Sequence, residues 1–418
     1  MRNNPFIFTL VFSTIILAID FYSYRGVKKL VGNYGQGTQK IIRFLFWIVP
    51  FLLIIGLLLF ASLEIQPAHF LSYFHIISGT FILFYIPKLV FIIFNLFDDF
   101  YLLIKHVFNK IRKKPNTVSE GQPISRAQFL NRIGILISGL PFLSIAYGIK
   151  WGKYDFKVRE HTLAFKNLPA AFDGLRIVQF SDFHIGSFMS DWEKVAEAVE
   201  LINDQNPDLL LFTGDFVNNV SSEMDNFLPM LEEMNATMGK YSILGNHDYG
   251  DYVPWKSEEE KRENLDRLIK IQEELGIKML LNDSQKIALN GDSIELIGVE
   301  NWGLPPFPQY GDLDRALTNV NPDSFKILMS HDPSHWDAQV LNKTDIDLTL
   351  SGHTHGAQFG IEIPGWRWSP ASIRYKRWGG MYTEGKQYLY VDTGIGFIGF
   401  PGRVGMPPEV TVIELRKI

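Results

Sequence analysis

The chain has 418 residues, which is enough for two or three structural units at about 150 residues per domain. Its 40 Lys and Arg residues against 45 Asp and Glu residues give a formal net charge of −5. This charge excludes the strong basic field that binding of the whole protein to nucleic acid would need. The absence of cysteine excludes disulfides, cysteine-ligated metals and thiol catalysis.

Four long apolar runs within residues 1–150 predict an all-α transmembrane region of about four helices. About 20 apolar residues in a helix cross the roughly 30 Å of membrane hydrocarbon. A buried helix of a soluble domain is normally amphipathic rather than apolar all round. The runs are Pro5–Ile19, Ile41–Leu63, Phe70–Phe97 and Ile133–Ile149.

The third run is interrupted by Pro87 and Lys88. A charged side chain inside a membrane span is costly and often functional. We expect Lys88 either to extend toward the membrane surface or to mark a break between two shorter helices. A functional polar pocket around Lys88 is the alternative.

The short loops between the runs differ in their content of basic residues, and this predicts the orientation. The loop between runs two and three, Glu64–His69, has no Lys or Arg. The basic residues of the other two loops are Arg25, Lys28, Lys29, Lys40, Lys105, Lys110, Arg112, Lys113, Lys114 and Arg126. Because basic loops stay in the cytoplasm, the sequence predicts a multi-pass protein of the cytoplasmic (inner) membrane, with everything after Trp151 on the extracytoplasmic, periplasmic side.

The segment Ser125–Leu130 precedes the fourth run and resembles a twin-arginine export signal, with Ala127 where the second arginine would stand. Chance similarity in a polar linker is the alternative. Both interpretations have the fourth helix enter the membrane from the cytoplasm.

Residues 151–418 change to short apolar runs that alternate with polar, helix-like stretches, a pattern typical of α/β domains. We therefore predict a domain boundary near residue 150. The predicted strands are Leu175–Phe180, Leu209–Phe212, Tyr241–Leu244, Ser293–Val299, Phe325–Met329, Leu348–Leu350, Gln387–Val391 and Glu409–Leu415. The predicted helices are Trp192–Asn203, Asn226–Met234 and Glu258–Leu275.

Polar segments rich in histidine and carboxylate follow five of these strands. They are Asp182-Phe183-His184, Gly214-Asp215, Gly245-Asn246-His247-Asp248, His331-Asp332 and Gly352-His353-Thr354-His355-Gly356. The ends of strands are where an α/β sheet presents its ligand-binding loops. Side chains two residues apart in one loop can converge on one point, a geometry suited to holding a metal ion.

At these residues the chain resembles the calcineurin-like metallophosphoesterases, whose pattern is D-x-H, G-D, G-N-H-D, H and G-H-x-H. The resemblance covers residues 175–418 and includes Arg403–Val410, which is similar to the closing stretch of a membrane-associated bacterial subgroup. Ala357 replaces a glycine that is usual in that subgroup. The resemblance implies a layered α/β/β/α sandwich over residues 151–418, and it leaves the transmembrane region at 1–150 outside.

The resemblance also implies a site with two divalent cations, which could be Mn, Fe or Zn. One cation would be held by Asp182, His184 and His355, the other by Asn246, His331 and His353, and Asp215 would bridge them. Two cations about 3.5–4 Å apart activate water and clamp the phosphate oxygens. His247 would protonate the leaving oxygen or stabilise charge, with Asp248 orienting it through a hydrogen bond.

These observations predict a membrane-anchored, dinuclear-metal-dependent phosphoesterase that hydrolyses a phosphodiester or pyrophosphate. Its partners would be the lipid bilayer and a phosphoester substrate carried by a lipid or envelope precursor, with no nucleic acid and no obligate protein partner. A tethered phosphatase or phosphodiesterase for soluble molecules such as nucleotides is the alternative. A non-catalytic membrane scaffold or receptor is the alternative of another class.

An aromatic and basic segment lies between the G-H-T-H motif and the final strands. Its members are Trp366, Arg367, Trp368, Arg374, Tyr375, Lys376, Arg377 and Trp378. Indole rings with interleaved cations suit a membrane interface beside the metal site. The alternative is a hairpin whose aromatic rings pack within the sheet and whose cations face water.

Overall fold

The computed structural model describes residues 5–62, 67–112 and 126–418. The chain divides into two compact units, Met1–Gln66 with Tyr73–Tyr147 and Pro67–Ser72 with Gly148–Ile418. Lys113 and Lys114, which contribute to the predicted orientation, and Ser125, which begins the export-like segment, lie outside the described residues.

The four predicted membrane helices are present. Each has an apolar stretch long enough to cross a bilayer. They are α1 (Pro5–Val31), α2 (Gln36–Ser62), α3 (Pro67–Arg112) and α4 (Arg126–Lys150). The 46 residues of α3 correspond to about 69 Å of helix, so α3 continues well beyond a bilayer's hydrocarbon core.

Lys88 does not break α3, so the prediction of two shorter helices is wrong, and its side chain pairs with a carboxylate of another helix. α3 continues through Pro87. The Nζ atom of Lys88 lies 2.5 Å from Oδ1 of Asp20 on α1, and the hydroxyl of Tyr85 donates to the other oxygen of that carboxylate. Asp20 is fully buried. A buried ion pair within the helical unit therefore satisfies the charge of Lys88.

The second unit is built on two six-stranded sheets. The first has the order β1-β14-β2-β3-β4-β5, and the second β12-β13-β9-β8-β7-β6. The strands of the first sheet are β1 (Lys157–Phe165), β2 (Arg176–Phe180), β3 (Leu209–Phe212), β4 (Gly239–Ser242), β5 (Ile277–Met279) and β14 (Glu409–Lys417). Those of the second are β6 (Asp283–Leu289), β7 (Asp292–Gly298), β8 (Lys326–Met329), β9 (Leu348–Ser351), β12 (Gly380–Glu384) and β13 (Gln387–Val391). A separate hairpin contains β10 (Ile361–Ile363) and β11 (Trp366–Trp368).

Three apolar clusters define the layers. One lies between the sheets and contains Ile177 and Leu211 from the first sheet with Ile327 and Leu348 from the second. Another covers the outer face of the first sheet, and a third covers the outer face of the second. The helices of this unit are α5 (Trp192–Asp204), α6 (Leu228–Leu231), α7 (Glu258–Glu274) and α8 (Leu313–Leu317). This is the expected α/β/β/α sandwich.

Two elements differ from their predictions for physical reasons. The helix predicted over Asn226–Met234 is only the single turn α6, and its late start agrees with Pro229, which fits only the first turn of a helix. The strand predicted at Tyr241–Leu244 is β4, Gly239–Ser242, two residues earlier. Ile243 and Leu244 are buried beyond the end of β4, and the backbone N–H of Ile243 still donates to the carbonyl of Phe212 on β3.

Candidate metal centre

The predicted ligands lie in loops at the carboxyl ends of parallel strands from both sheets. β2, β3 and β4 are parallel neighbours in the first sheet, and β8 and β9 are parallel neighbours in the second. The first three strands lead to Asp182 and His184, to Asp215, and to Asn246 with His247. The other two lead to His331, and to His353 with His355. The structure brings all seven predicted ligands into these loops.

The backbone at this edge is unusual, since five of the predicted ligands have a left-handed conformation. The φ angles are 50° for Asp182, 45° for His184, 64° for Asp215, 73° for His353 and 51° for His355. Such conformations cost non-glycine residues of order 1–3 kcal/mol each and cluster at functional sites. The fold therefore holds these side chains in orientations that an unconstrained loop would avoid.

The first group of donors consists of Asp182, His184 and His355, all of which are buried. The Nε2 atoms of the two histidines are 3.1 Å apart. Oδ1 of Asp182 lies 3.2 Å from Nε2 of His355 and 4.0 Å from Nε2 of His184. Ligand atoms at about 2.0–2.2 Å from one ion would be separated by roughly 3–4 Å, so this group fits a metal ion.

The second group consists of Asp215, His331 and His353, whose ligand atoms lie within 4.8 Å of one another. Oδ2 of Asp215 is 3.2 Å from Nε2 of His331. The same oxygen is 3.6 Å from Nε2 of His184 in the first group. One carboxylate oxygen thus reaches a histidine of each group, which is the geometry that a bridging ligand requires.

Several buried side-chain atoms that could bind a metal at this centre have no hydrogen-bond partner. They are Oδ1 of Asp182, Oδ1 of Asn246 and Nε2 of His331. The amide nitrogen of Asn246 donates to the hydroxyl of Tyr252 at 2.8 Å, which leaves its oxygen available as a ligand. Burying polar atoms without partners is unfavourable, and cations would satisfy these atoms. The residues present therefore fit two divalent metal ions.

The charges at the centre shift the pKa values of its histidines and carboxylates. Burial disfavours a charge on His331, but the Asp215 carboxylate outweighs burial and raises the pKa of the imidazole to about 10. For Asp182, burial is likewise outweighed by the histidines, above all His355, and its pKa lies well below the usual range. A histidine must lose its proton to bind a metal, so metal binding at this centre would release protons and would strengthen as pH rises.

His247 lies beside the first group without being a member of it. Its ring stands edge-on to the ring of His184, with centroids 4.9 Å apart. Its Nδ1 atom lies 2.8 Å from the carbonyl oxygen of Asn218. Because a carbonyl can only accept a hydrogen bond, Nδ1 carries a proton and Nε2 is the atom free for chemistry. Desolvation lowers the pKa of the ring, and the Asp215 carboxylate partly opposes this.

The role predicted for Asp248 is wrong. Its carboxylate accepts hydrogen bonds from backbone N–H groups and does not contact the His247 ring. The donors are Asp215 at 2.8 Å, Gly245 at 2.9 Å, Phe216 at 2.8 Å and Val217 at 3.3 Å. Asp248 thus joins the loop after β3 to the loop after β4, and the orientation of His247 comes from the Asn218 carbonyl instead.

The loop that contains Asn218 is itself fixed by a partly buried carboxylate that no sequence motif marks. Glu223 accepts from the backbone N–H groups of Asn218, Asn219 and Val220 at 2.7–3.1 Å. The side-chain amide of Asn218 also donates to Glu223 and to the carbonyl oxygen of His184. No motif marks Glu223, because its partners are backbone groups that any sequence supplies.

Tyr375 and Asp332 both lie close to the same ring nitrogen of His353, Nε2. The Tyr375 hydroxyl is 2.7 Å from Nε2 of His353, and Oδ2 of Asp332 is 3.5 Å from the same atom. Such contacts fix the orientation of a ligating imidazole. Asp332 follows a predicted ligand directly in sequence, and this adjacency was its only signal.

Arg403, from the closing stretch, is also part of the support around the centre. Its guanidinium is 1% exposed and donates to the carbonyl oxygens of Thr393, Gly394 and Gly396. The same loop donates backbone N–H groups to the carbonyls of Ser181 and Asp182. The resemblance included Arg403 without implying a role for it. In the structure, Arg403 fixes the loop that lies beside Asp182.

The aromatic and basic segment after the G-H-T-H motif divides into two parts. Trp366 and Trp368 lie in the hairpin β10–β11 and remain exposed. Arg377 and Trp378 are buried instead, at 9% and 8% exposure. The membrane-interface prediction is therefore wrong for those two residues, and the packed-hairpin alternative is wrong for the exposed tryptophans.

Two family models match the chain. Residues 1–153 match "Probable Calcineurin-like phosphoesterase, transmembrane domain", and residues 175–357 match "Calcineurin-like phosphoesterase". The first match extends the resemblance to the helical region, which the sequence motifs had left outside it.

Relatives from bacteria are similar along most of the chain. An uncharacterized metallophosphoesterase of Bacillus subtilis is 32% identical over 307 residues, which cover 70% of this chain and 98% of that protein. An uncharacterized metallophosphoesterase of Campylobacter jejuni is 28% identical over 413 residues, 97% of this chain and 98% of that one. A protein of Escherichia coli named as a phosphodiesterase is 28% identical over 298 residues, 70% of this chain and 99% of that one.

Proposed function

The chain belongs to the calcineurin-like metallophosphoesterase family, and from this premise we propose that it hydrolyses a phosphodiester or pyrophosphate bond in a lipid-borne or envelope-associated substrate. It is a membrane-associated enzyme, which rules out the scaffold alternative. The observation that supports the proposal most is a centre for two metal ions, linked by Asp215, in a chain with four apolar helices long enough to span a bilayer. The name of the Escherichia coli relative favours a diester over a monoester.

The metals would be held by the residues predicted for them. Asp182, His184 and His355 would hold one ion, His331 and His353 would hold the other together with the unpartnered oxygen of Asn246, and Asp215 would contribute to both. When bound, two divalent cations activate a water molecule and neutralise the charge of the phosphate. The mixture of imidazole, carboxylate and amide donors fits Mn, Fe or Zn.

The remaining chemistry falls to side chains of the chain itself. His247 presents Nε2 at the edge of the centre, and in the imidazolium form, which carries protons on both ring nitrogens, it would protonate the leaving oxygen or stabilise the charge that develops on it. Its Nδ1–H stays bonded to the Asn218 carbonyl throughout, so the ring keeps one orientation. Asp248 and Glu223 hold the two loops that determine where this ring stands.

Removal of the metals gives the direct test of this function. We expect dialysis against a chelator to abolish hydrolysis of bis(p-nitrophenyl) phosphate by the full chain in detergent, and added Mn²⁺ to restore it. The enzyme should then cleave a lipid-linked diester or pyrophosphate faster than soluble nucleotides, compared by kcat/KM. Faster cleavage of the nucleotides would favour the tethered, soluble-substrate alternative.

We further propose that residues 1–150 anchor the protein in the cytoplasmic membrane and that residues 151–418 work on the extracytoplasmic side. The asymmetry of basic loops supports this orientation. A reporter that is active only outside the cytoplasm should be active when fused after Ile418 and silent when fused near Lys113. The opposite pattern would reverse the orientation and make cytoplasmic nucleotides the better substrates.

A further inference from the structure

The hairpin β10–β11 has one face made entirely of large apolar side chains. In its antiparallel register Ile361 stands opposite Trp368, and Ile363 stands opposite Trp366. Residues two apart on a strand, and residues directly opposite across a pair, share one face. These four side chains are therefore neighbours, and each is 43–53% exposed.

The opposite face of the hairpin is tied to the body of the unit by charge. Glu362 lies 2.7 Å from Arg159 on β1 and 3.6 Å from Arg367 across the hairpin. The Arg367 guanidinium also lies over the buried Trp378 ring, 5.3 Å from its centroid. These contacts fix which face points away from the unit. The hairpin is thus held in one orientation, with its apolar face exposed.

This face is the main concentration of exposed apolar groups in residues 148–418. Eleven large hydrophobic side chains are exposed in that range, and five of them lie within 13 residues. Four of the five form the hairpin face, and the fifth, Ile373, is 83% exposed and follows β11 by five residues. An isolated exposed residue needs no explanation, but a contiguous apolar patch on a rigid element marks an interaction surface.

We propose that this face, Ile361, Ile363, Trp366 and Trp368 with Ile373, docks into the headgroup region of the bilayer in which the chain is anchored. Indole rings favour that depth, and isoleucine favours the adjoining hydrocarbon. The exposed cations Arg374 and Lys376 lie one and three residues after Ile373 and would complement lipid phosphates. Because the membrane helices belong to the same chain, the bilayer is present at high effective concentration, which favours it over a freely diffusing protein partner.

The docking face is linked to the metal centre through short connections. The Ser369 hydroxyl, directly after β11, donates to the carbonyl of Gly356, the neighbour of His355. Tyr375, one residue beyond Arg374, contacts His353. A lipid phosphate held at Arg374 would therefore lie beside the ligand loops. This step rests on the proposed function, since it gives a lipid-borne phosphate its approach to the metals.

The chain has no native cysteine, so a single introduced thiol labels one position only. We would reconstitute full-length Ile363→Cys, carrying a nitroxide, in vesicles of phosphatidylethanolamine and phosphatidylglycerol. Lys386→Cys is the matched control, because Lys386 is exposed at the turn between β12 and β13 in the same unit. Collisions with oxygen and with a water-soluble nickel complex then report the depth of each label.

We expect the label at position 363 to be shielded from nickel and accessible to oxygen, and the label at position 386 to be accessible to nickel. Equal accessibility to nickel at both positions would overturn the proposal. So would spin–spin broadening at position 363 that grows with the protein-to-lipid ratio, since it would assign the face to a second copy. Depth is measured without turnover, so docking can stand even if the substrate proposal fails.

A second measurement connects docking to substrate choice. For Trp366→Ala combined with Trp368→Ala, we expect the ratio of activity on a vesicle phospholipid-type substrate to activity on a short soluble ester to fall about tenfold. An equal loss on both substrates would show that the rings are structural. If the label is embedded in the bilayer but this ratio is unchanged, docking is retained and the lipid-borne substrate is rejected.

Discussion

Asp215→Asn is expected to lower hydrolysis of an aryl phosphodiester by more than about 100-fold and to reduce the number of metals bound per chain. Changes to residues that only orient a ligand already cost about 10–100-fold, and Asp215 is a ligand to both ions in our assignment. Its Oδ2 atom lies 3.2 Å from His331 and 3.6 Å from His184. Its Oδ1 atom accepts from the backbone N–H of His247 at 2.7 Å. A neutral amide cannot supply a charged oxygen to both groups.

The measurement compares bound metal, by elemental analysis of the purified full chain, with the rate of hydrolysis. Asp266→Asn makes the same chemical change on the exposed side of α7 and should alter neither quantity. Thermal unfolding of the metal-free proteins separates loss of metal from loss of fold. Normal metal content with normal hydrolysis in Asp215→Asn would contradict the bridging assignment.

The position of the centre could be predicted because it depends on strand order and local spacing. Each polar segment directly follows a short apolar run, and parallel strands place such segments along one edge of a sheet. The spacing of Asp182 and His184, and of His353 and His355, is visible in the sequence. The meeting of edges from two different sheets is a property of the fold, and for this the family resemblance was needed.

The supporting contacts could not be predicted, because they involve backbone atoms. Asp248 appears next to His247 in the sequence, which suggested that one side chain orients the other. In the structure the Asp248 carboxylate accepts from backbone N–H groups, and the carbonyl of Asn218, 29 residues away, accepts from His247. Every residue has the same backbone groups, so a hydrogen bond to the backbone leaves no pattern in the sequence. Neither Asn218 nor Glu223 could therefore be assigned a role.

Edge strands and charge pairing were missed for a related reason. β1 contains Arg159, Glu160 and His161, and its central residues are only partly buried, so it lacks the apolar run that predicts a buried strand. It is stabilised by parallel pairing with β14 over nine residues. The pairing of Lys88 with Asp20 could not be predicted either, because 68 residues separate them in the sequence.

His247→Ala is expected to lower kcat by roughly 10²–10⁴-fold while both metals stay bound and KM changes little. The ring is not a member of either donor group, so its removal leaves the metal ligands in place. Its contribution depends on Nε2, which is free only because Nδ1 is bonded to the Asn218 carbonyl. A group that acts on the leaving oxygen in the transition state affects kcat rather than substrate affinity.

The test of His247 measures kcat, KM and metal content on the same preparation, with His161→Ala as the control. His161 is a partly buried histidine on β1 whose ring packs against Tyr390, so its removal tests general loss of a histidine without touching the centre. Added imidazole should recover part of the activity of His247→Ala, because a small ring can occupy the space and hold the proton. Loss of metal in His247→Ala would instead make His247 a ligand. An unchanged kcat would mean that the leaving oxygen takes its proton from another group. Tyr252 is then the candidate, because its ring centroid lies 4.4 Å from that of His247 and, unlike His184, it is not a predicted metal ligand.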